Sequence, residues 1–166
     1  MNKLDLSTLS LNPFRKLRDE WALLASGKEG DFNMMTVSWG GFGQLWRTDV
    51  CTVYVRQSRY TMEFMDKNEY YTLIFLKEGH KDALGVLGSK SGRDIDKMAG
   101  AGLTPVFTPE GCPTFAEAEL TFVCRKMYKD TMPKENFLDT KAYDECYPDN
   151  DIHSMFVGEV VAVYGG

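Results

Sequence analysis

The sequence lacks most of the motifs by which catalytic and metal-binding proteins are recognised. It has only two histidines, His80 and His153, and its four cysteines form no C-x-x-C pair, so we predict neither a zinc site nor a histidine-activated thiol. No serine stands in a G-x-S-x-G elbow, which argues against a hydrolase of that kind. The chain also has no G-x-x-x-x-G-K-[ST] match and no G-x-G-x-x-G after a strand. Nucleotide hydrolysis and a Rossmann dinucleotide site are therefore not predicted.

The chain also lacks an excess of positive charge and any long apolar run. Its 166 residues carry 19 Lys and Arg against 24 Asp and Glu, a net charge of −5, which argues against a general nucleic-acid binder. No apolar run approaches the length of a membrane span, and the N-terminus has no signal-peptide pattern. We therefore expect a cytoplasmic protein with no membrane or nucleic-acid partner. We favour free thiols for the four cysteines, although an even number also permits disulfides. The four are Cys51, Cys112, Cys124 and Cys146.

Short β-rich segments separated by turns make up most of the chain. We predict strands at residues 20–26, 32–39, 50–56, 70–77, 105–108, 115–128 and 153–164, the last with a bulge at Gly158. Short helices are predicted at residues 12–19, 60–67, 83–87 and 95–99 and within 134–146. Six or seven strands joined mostly by short turns favour a mainly β fold, an antiparallel barrel with short helical insertions. The length fits a single domain over residues 1–166.

The stretch from residue 33 to residue 61 carries polar groups that indicate a ligand. Thr36 and Ser38 lie in a strand that would be filled with Val, Ile and Leu if it were fully buried. We interpret residues 40–43, GGFG, as a turn that lets the backbone approach a ligand closely. The next strand ends in RQSRYT, residues 56–61, which places two guanidiniums and several hydroxyls together. This mixture suits a flat, polar-edged aromatic ligand with an anionic tail.

A second basic loop, SKSGR at residues 89–93, precedes the predicted helix at 95–99. Guanidiniums bind phosphate through parallel N–H bonds, and hydroxyls and helix N-terminal amides complete such a site. The alternative for this loop and for residues 56–61 is an ordinary solvated turn with surface arginines. Residues 149–153 alternate two carboxylates with an imidazole, but we predict a turn there, with His153 held by a hydrogen bond, and no metal site.

Five segments, in order, resemble the flavin reductase-like, FMN-binding split-barrel family, which includes the flavoredoxins. The resemblance extends from Trp21 to the C-terminus, and it is the ordered set that is specific. It implies a split β-barrel with Greek-key connections and one FMN bound non-covalently at the interface of a homodimer. The segments are NMMTVSWG (33–40), VYVRQSRYT (53–61), SGRDIDK (91–97), CRKMY (124–128) and HSMFVGEV (153–160).

The resemblance also implies roles for individual residues. The isoalloxazine ring would contact Asn33, Met34, Thr36, Ser38 and Trp39. The phosphate and ribityl chain would contact Arg56, Arg59, Tyr60, Thr61, Ser91, Arg93 and Lys97. Two further residues, Trp46 and His153, are candidates for contact with a substrate.

The implied function is a flavin reductase-type oxidoreductase, and three versions of it stay open. A flavin carries hydride and electron chemistry itself, so the protein needs no catalytic acid–base pair or nucleophile. We favour an NAD(P)H-dependent flavin or ferric reductase, with a small-molecule or protein electron donor and acceptor. The alternatives are a flavoredoxin-like electron-transfer protein that does not use nicotinamide and a non-enzymatic FMN-binding protein.

Overall fold

The computed structural model describes residues 1–89, 91–93 and 100–166. The predicted helix at 95–99 lies outside these residues. No helix within them is long and apolar enough to span a membrane. In chain order the elements are β1 (Asn2–Leu4), α1 (Pro13–Arg15, continued by a π-helical turn at Lys16–Glu20), β2 (Ala22–Lys28), β3 (Asp31–Val37), β4 (Gly40–Leu45), β5 (Thr48–Arg56), α2 (Thr61–Lys67), β6 (Tyr70–Leu76), α3 (Lys81–Ser89), β7 (Pro105–Phe107), β8 (Pro113–Phe115), β9 (Ala118–Thr131), α4 (Thr140–Cys146) and β10 (His153–Gly165).

Eight strands form one antiparallel sheet, and β7 and β8 form a separate pair. The order in the large sheet is β3-β2-β6-β9-β10-β5-β4, with β1 added to β10. The connection from β5 to β6 passes over β10 and β9, which is a Greek-key connection. Only Ser38 and Trp39 join β3 to β4, although these two strands are at opposite ends of the order and do not pair. The barrel is therefore split at Ser38 and Trp39, and the predicted mainly β split barrel is confirmed.

The alternation of side chains along each strand decides which residues enter the barrel. In β5, Cys51, Val53 and Val55 are fully buried in the barrel core, whereas Tyr54 and Arg56 face outwards and are partly exposed. Strand β6 is buried on both faces. Its odd-numbered residues enter the barrel core, and Ile74 packs in a second core beneath α3. The outward face of β5 thus positions Tyr54 and Arg56 beside the split.

The interpretation of residues 40–43 as a turn was wrong, because they form strand β4. Gly40 is needed there for close packing, since a Cβ at this position would lie 2.8 Å from the carbonyl oxygen of Thr52 on β5. The turn comes later, where Trp46 and Arg47 adopt φ values of 52° and 62°. Two-residue hairpin turns require such positive φ values and usually use glycine or asparagine. The glycine signal therefore predicted the turn one strand too early.

The structure also bears on the predicted bulge, the strand bounds and the cysteines. The bulge at Gly158 is confirmed, with a register shift between Val157 and Gly158. A Cβ on Gly158 would lie 2.7 Å from the ring of Tyr71, which explains the glycine. The predicted strand 115–128 is in fact β8 and β9, and the short β1 was missed along with β4. All four cysteines are free thiols, as predicted.

Candidate functional site

A polar cleft of about 210 Å³ opens beside β3, where the barrel is split. Two guanidiniums line it, and none of its described lining residues is acidic, so the cleft is cationic in a protein of net charge −5. Six of the predicted site residues lie here: Thr36, Ser38, Trp39, Arg56, Arg59 and His153. The sequence analysis did not assign the other four: Met35, Val37, Tyr54 and Gly88. Tyr54 could have been predicted, because it lies two residues before Arg56 and therefore on the same face of β5.

Strand β3 supplies one wall of the cleft and lies at an edge of the sheet. Helix α3 covers part of it, because Thr36 Oγ1 donates a hydrogen bond to the Leu84 carbonyl at 2.5 Å. A Cβ at Gly88 would come within 3.2 Å of the Thr36 side chain, so the end of α3 packs closely against the strand. An edge strand presents backbone N–H and C=O groups that no neighbouring strand uses. A flat heterocycle with polar edges can bind such groups.

Arg59 is the cation best placed for an anion. Its Nη2 donates to the Gly88 carbonyl at 2.8 Å, and among the described residues this is the one acceptor its guanidinium contacts. Burial lowers the pKa of Arg59; the Asp151 carboxylate opposes this effect and the Arg56 guanidinium adds to it. The group stays charged, because an arginine pKa lies far above neutrality. A partly buried cation with unused donors favours an anionic ligand.

Arg56 has a different environment from Arg59, although both line the cleft. Its Nη1 donates to the Asp151 carbonyl and its Nη2 to the Cys146 carbonyl, each at 2.9 Å. The guanidinium also lies 5.3 Å from the centre of the Tyr147 ring. Arg56 therefore holds the connection between α4 and β10 in place. Its contact with a phosphate remains a prediction.

Asn33 and Thr61 meet at the far end of β3. Asn33 is buried, and its Nδ2 donates to Thr61 Oγ1 at 2.9 Å. A Cβ at Gly92 would lie 2.5 Å from Asn33 Oδ1 and 3.2 Å from the ring of Tyr60. The structure thus brings the second predicted loop against the first, although the two are about thirty residues apart in sequence.

Arg93 and Ser91 complete this cluster. The Arg93 guanidinium lies 4.8 Å from the centre of the Tyr60 ring, and its Nη2 pairs with Glu63 Oε1 at 2.5 Å. The Arg93 amide donates to Ser91 Oγ at 3.2 Å. Because Arg93 is paired with a carboxylate, it offers less to an anion than Arg59 does. Lys97, also predicted for the phosphate, lies outside the described residues.

His153 lies beside Arg56, its partner across β5 and β10. It is only 8% exposed, and its Nδ1 shares a hydrogen bond with the Tyr147 hydroxyl at 2.9 Å, so the predicted hydrogen bond is confirmed. Its ring also packs against Trp39, with 5.0 Å between ring centres. Burial, and then the Arg56 charge, lowers the pKa of His153 to about 4, while Asp151 opposes the shift. The imidazole is therefore neutral at physiological pH and fixed in orientation.

Two predicted residues lie away from both the cleft and the cluster around Asn33. Met34 is buried in the core beneath α3 and does not line the cleft. Trp46 lies in the turn between β4 and β5, where its ring is 5.9 Å from that of Tyr128. It lines neither the cleft nor the cavity described next. Met34 shares its face of β3 with Thr36, and that face packs against α3, whose Leu84 and Leu87 lie in the same core as Met34.

A second and larger cavity, of about 580 Å³, adjoins the cleft. It lies between α1, β4 and the segment around α4, and it shares Ser38, Trp39 and Tyr54 with the cleft. We call it the aromatic cavity, because six of its lining residues carry aromatic rings: Phe14, Trp39, Phe42, Tyr54, Phe137 and Tyr147. The sequence analysis missed it, since its walls come from three segments far apart in the chain.

The fold and the cleft together define a split barrel with a cationic cleft at its open edge. A family model described as "Flavin reductase like domain" matches residues 14–166. The chain therefore belongs to the flavin reductase like domain family. A search of curated protein sequences gives no match.

Solved structures with the same fold agree with this assignment. A flavoredoxin from Methanosarcina acetivorans superposes with a TM-score of 0.67 at 23% identity, over 89% of this chain and 68% of that one. An FMN-binding protein from Thermus thermophilus with bound p-hydroxybenzaldehyde gives 0.66 at 23%, over 87% and 70%. An FMN-binding domain of a flavin reductases-like enzyme from Shewanella baltica gives 0.69 at 17%, over 99% and 76%. At these identities the similarity establishes the fold alone.

Proposed function

We propose that this protein binds FMN in the polar cleft and acts as an oxidoreductase through it. The observation that carries the proposal is the partly buried Arg59 guanidinium in a cleft whose described lining residues include no acid. Membership of the flavin reductase like domain family supports it. The position of β3 at an end of the strand order supports it as well, because an edge strand suits the polar rim of a flavin ring.

The residues present fit the parts of FMN. Arg59, with Ser91 and Arg93 nearby, would hold the phosphate, while Thr36, Ser38 and Trp39 would lie along the ring. The need for glycine at 88 and 92 fits such a site, because a Cβ at either position would press into the side chains of β3. When bound, FMN supplies the hydride and electron chemistry. The protein binds the group, orients it and excludes water from one side.

Within this function we favour an NAD(P)H-dependent flavin or ferric reductase. The neutral, fixed imidazole of His153 beside Trp39 would border the reacting molecules without adding charge. A flavoredoxin-like electron carrier is the second candidate, and one observation favours it. Among the described residues of the aromatic cavity, the only charged side chain is Arg18, which is already paired with Asp19. The described lining therefore offers the pyrophosphate of a nicotinamide dinucleotide a single cation, and that guanidinium is largely exposed and hydrated.

Two experiments test these proposals in turn. Purified protein freed of flavin is titrated with FMN while flavin fluorescence is followed, and saturable binding is expected. A protein that fails to bind FMN would contradict every version of the function. FMN-loaded protein is then mixed anaerobically with NADH or NADPH while the visible flavin absorbance is recorded. Bleaching supports the reductase, and no bleaching with either nucleotide leaves the electron carrier.

We also propose that the protein is a cytoplasmic homodimer. The free thiols are typical of a reducing compartment. Three large hydrophobic residues near the β4–β5 turn are exposed and would suit an interface: Leu45, Trp46 and Tyr128. Sedimentation velocity of the wild-type protein and of Trp46→Ser tests this, with a dimer expected for the first and a monomer for the second. A monomeric wild-type protein would contradict the proposal.

A further inference from the structure

The aromatic cavity has the size of a small-molecule site. Its volume of about 580 Å³ lies within the range of roughly 300–1,000 Å³ that such pockets occupy. It continues from the cleft across the shared residues Ser38, Trp39 and Tyr54. A molecule in it would therefore stand next to whatever the cleft holds.

Both walls of the cavity are fixed by packing elsewhere. On the barrel side, Phe42 packs against Phe122 with 4.7 Å between ring centres. On the α4 side, Phe137 lies 5.9 Å from Tyr147, whose hydroxyl is bonded to His153. Rings held in this way form a preorganised surface, and a ligand does not have to order them on binding.

The charges around the cavity select against ionic ligands. Arg18 is its only charged residue among those described, and Arg18 Nε and Nη2 bond to the Asp19 carboxylate at 2.8 and 3.1 Å. The Arg18 side chain is 76% exposed, so its charge lies in water at the rim of the cavity. The other polar groups of the lining are hydroxyls, the Trp39 indole and the Cys146 thiol, and none of them is cationic. Moving an unpaired charge onto apolar walls is costly. An uncharged ligand has no such cost, and its flat faces can stack on the rings.

We propose that the aromatic cavity binds an uncharged, planar aromatic molecule of one or two rings that carries a hydroxyl or carbonyl group. The rings lie between Gly41 and the Phe137–Tyr147 wall, and the polar group is directed to Ser38 and Tyr54, which is on the same side of the sheet as Gly41. Binding itself does not require a flavin. That this molecule reacts with a bound flavin rests on the proposed function.

Calorimetry on flavin-free protein tests the class of ligand with three matched probes. 2-Naphthol is uncharged and planar, 2-naphthoate adds a negative charge, and decahydro-2-naphthol keeps the hydroxyl but loses planarity. The proposal predicts that 2-naphthol binds at least tenfold more tightly than either of the others. Equal affinities for 2-naphthol and 2-naphthoate would overturn it, and so would no binding of 2-naphthol.

Substitutions at two glycines of β4 test where 2-naphthol binds. A Cβ at Gly41 or at Gly43 meets nothing within 4 Å, and the two positions face the same side of the strand, but only Gly41 lines the cavity. Gly41→Leu is expected to weaken 2-naphthol binding at least tenfold by filling the cavity. Gly43→Leu should change it less than twofold. Unchanged binding in Gly41→Leu would overturn the assignment of the site.

Further titrations distinguish the other possible occupants. If FMN and 2-naphthol bind together, the cavity is separate from the flavin site, as proposed. Mutual displacement would mean that the cavity holds the flavin ring itself and would overturn the proposal. Binding that weakens as the protein concentration rises would mean that a second copy of the chain covers the cavity, with the same consequence. Failure of FMN alone to bind would count against the proposed function and leave the 2-naphthol result intact.

Discussion

The polar cleft and the aromatic cavity share a wall, yet their chemistry is opposite. The cleft has two guanidiniums and no acid among its described residues, whereas the cavity has six aromatic rings and a single, paired charge. Ser38, Trp39 and Tyr54 separate them. Under our two proposals, an anion is recognised on one side of the barrel split and a flat, uncharged aromatic molecule on the other. It also places the one buried imidazole, His153, beside Trp39, at their boundary.

Among the residues of the cleft, we expect a change at Arg59 to cause the largest loss of FMN affinity. Arg59→Met should weaken FMN binding by about 1.5–3 kcal/mol, which is roughly 10- to 150-fold, because a charge-assisted bond to the phosphate is lost. Riboflavin, which lacks the phosphate, should bind this variant as it binds the wild type. Fluorescence titration measures both. Unchanged FMN affinity would move the phosphate to Ser91, Arg93 and Lys97.

Arg56→Met should act on stability rather than on FMN. The Asp151 and Cys146 carbonyls would lose their donors, so we expect the free energy of unfolding to fall by about 1.5–3 kcal/mol, measured by denaturant titration. FMN affinity should change less than threefold. A loss of FMN affinity as large as that in Arg59→Met, with stability unchanged, would show that Arg56 binds the phosphate instead.

His153 gives the boundary between the two sites a pH dependence. Its folded pKa of about 4 is below its ordinary value of 6.5, so as the pH falls the unfolded chain takes up the proton first. The stabilisation is therefore complete above pH 6.5, declines between pH 6.5 and pH 4, and is lost below pH 4. With allowance for solvent screening, its size is about 1–2 kcal/mol.

Unfolding free energies of the wild type and of His153→Gln, measured from pH 7 to pH 4, isolate this contribution. Other titrating groups affect both proteins alike, so the difference between them reports on His153. The stability advantage of the wild type should shrink as the pH falls. A difference that stays constant would contradict the neutral, buried imidazole.

The smallest effect concerns the pairing of Arg93 with Glu63. Both side chains are nearly half exposed, and exposed ion pairs contribute little, so Glu63→Gln should lower the free energy of unfolding by less than about 1 kcal/mol. FMN affinity should not fall, because removing the carboxylate leaves Arg93 free to meet the phosphate. A tenfold loss of FMN affinity would show that Glu63, and not the arginine, serves the site.

The polar cleft was largely predictable from the sequence, and the aromatic cavity was not. The cleft depends on contiguous segments, residues 33–39 and 56–61, whose hydroxyls and arginines stand out within strands of ordinary alternation. The cavity depends on long-range packing. Phe42 and Phe137 are separated by more than ninety residues, and neither position looks unusual locally. Their meeting follows from the order of the strands, which local patterns do not specify.

The same physical reason explains the contacts and the turn that local patterns did not indicate. Arg56 bonds to carbonyls at residues 146 and 151, which no local pattern around residue 56 indicates. Residues 40–43, GGFG, resemble a turn, because a sequence shows the conformational freedom of glycine and not the neighbouring Thr52 carbonyl that requires a glycine at position 40. Trp46 and Arg47 form the turn with unfavourable residue types, which the pairing of β4 with β5 imposes on them.

We propose that the cleft recognises the phosphate of FMN. The ratio of the FMN affinity to the riboflavin affinity isolates this contribution. The two ligands share ring and ribityl chain and differ only in the phosphate. We predict that the wild-type protein binds FMN at least tenfold more tightly than riboflavin, and that the ratio falls as salt is added, because salt screens a partly exposed ionic contact. Equal affinities for the two ligands at low salt would contradict recognition of the phosphate by the cleft.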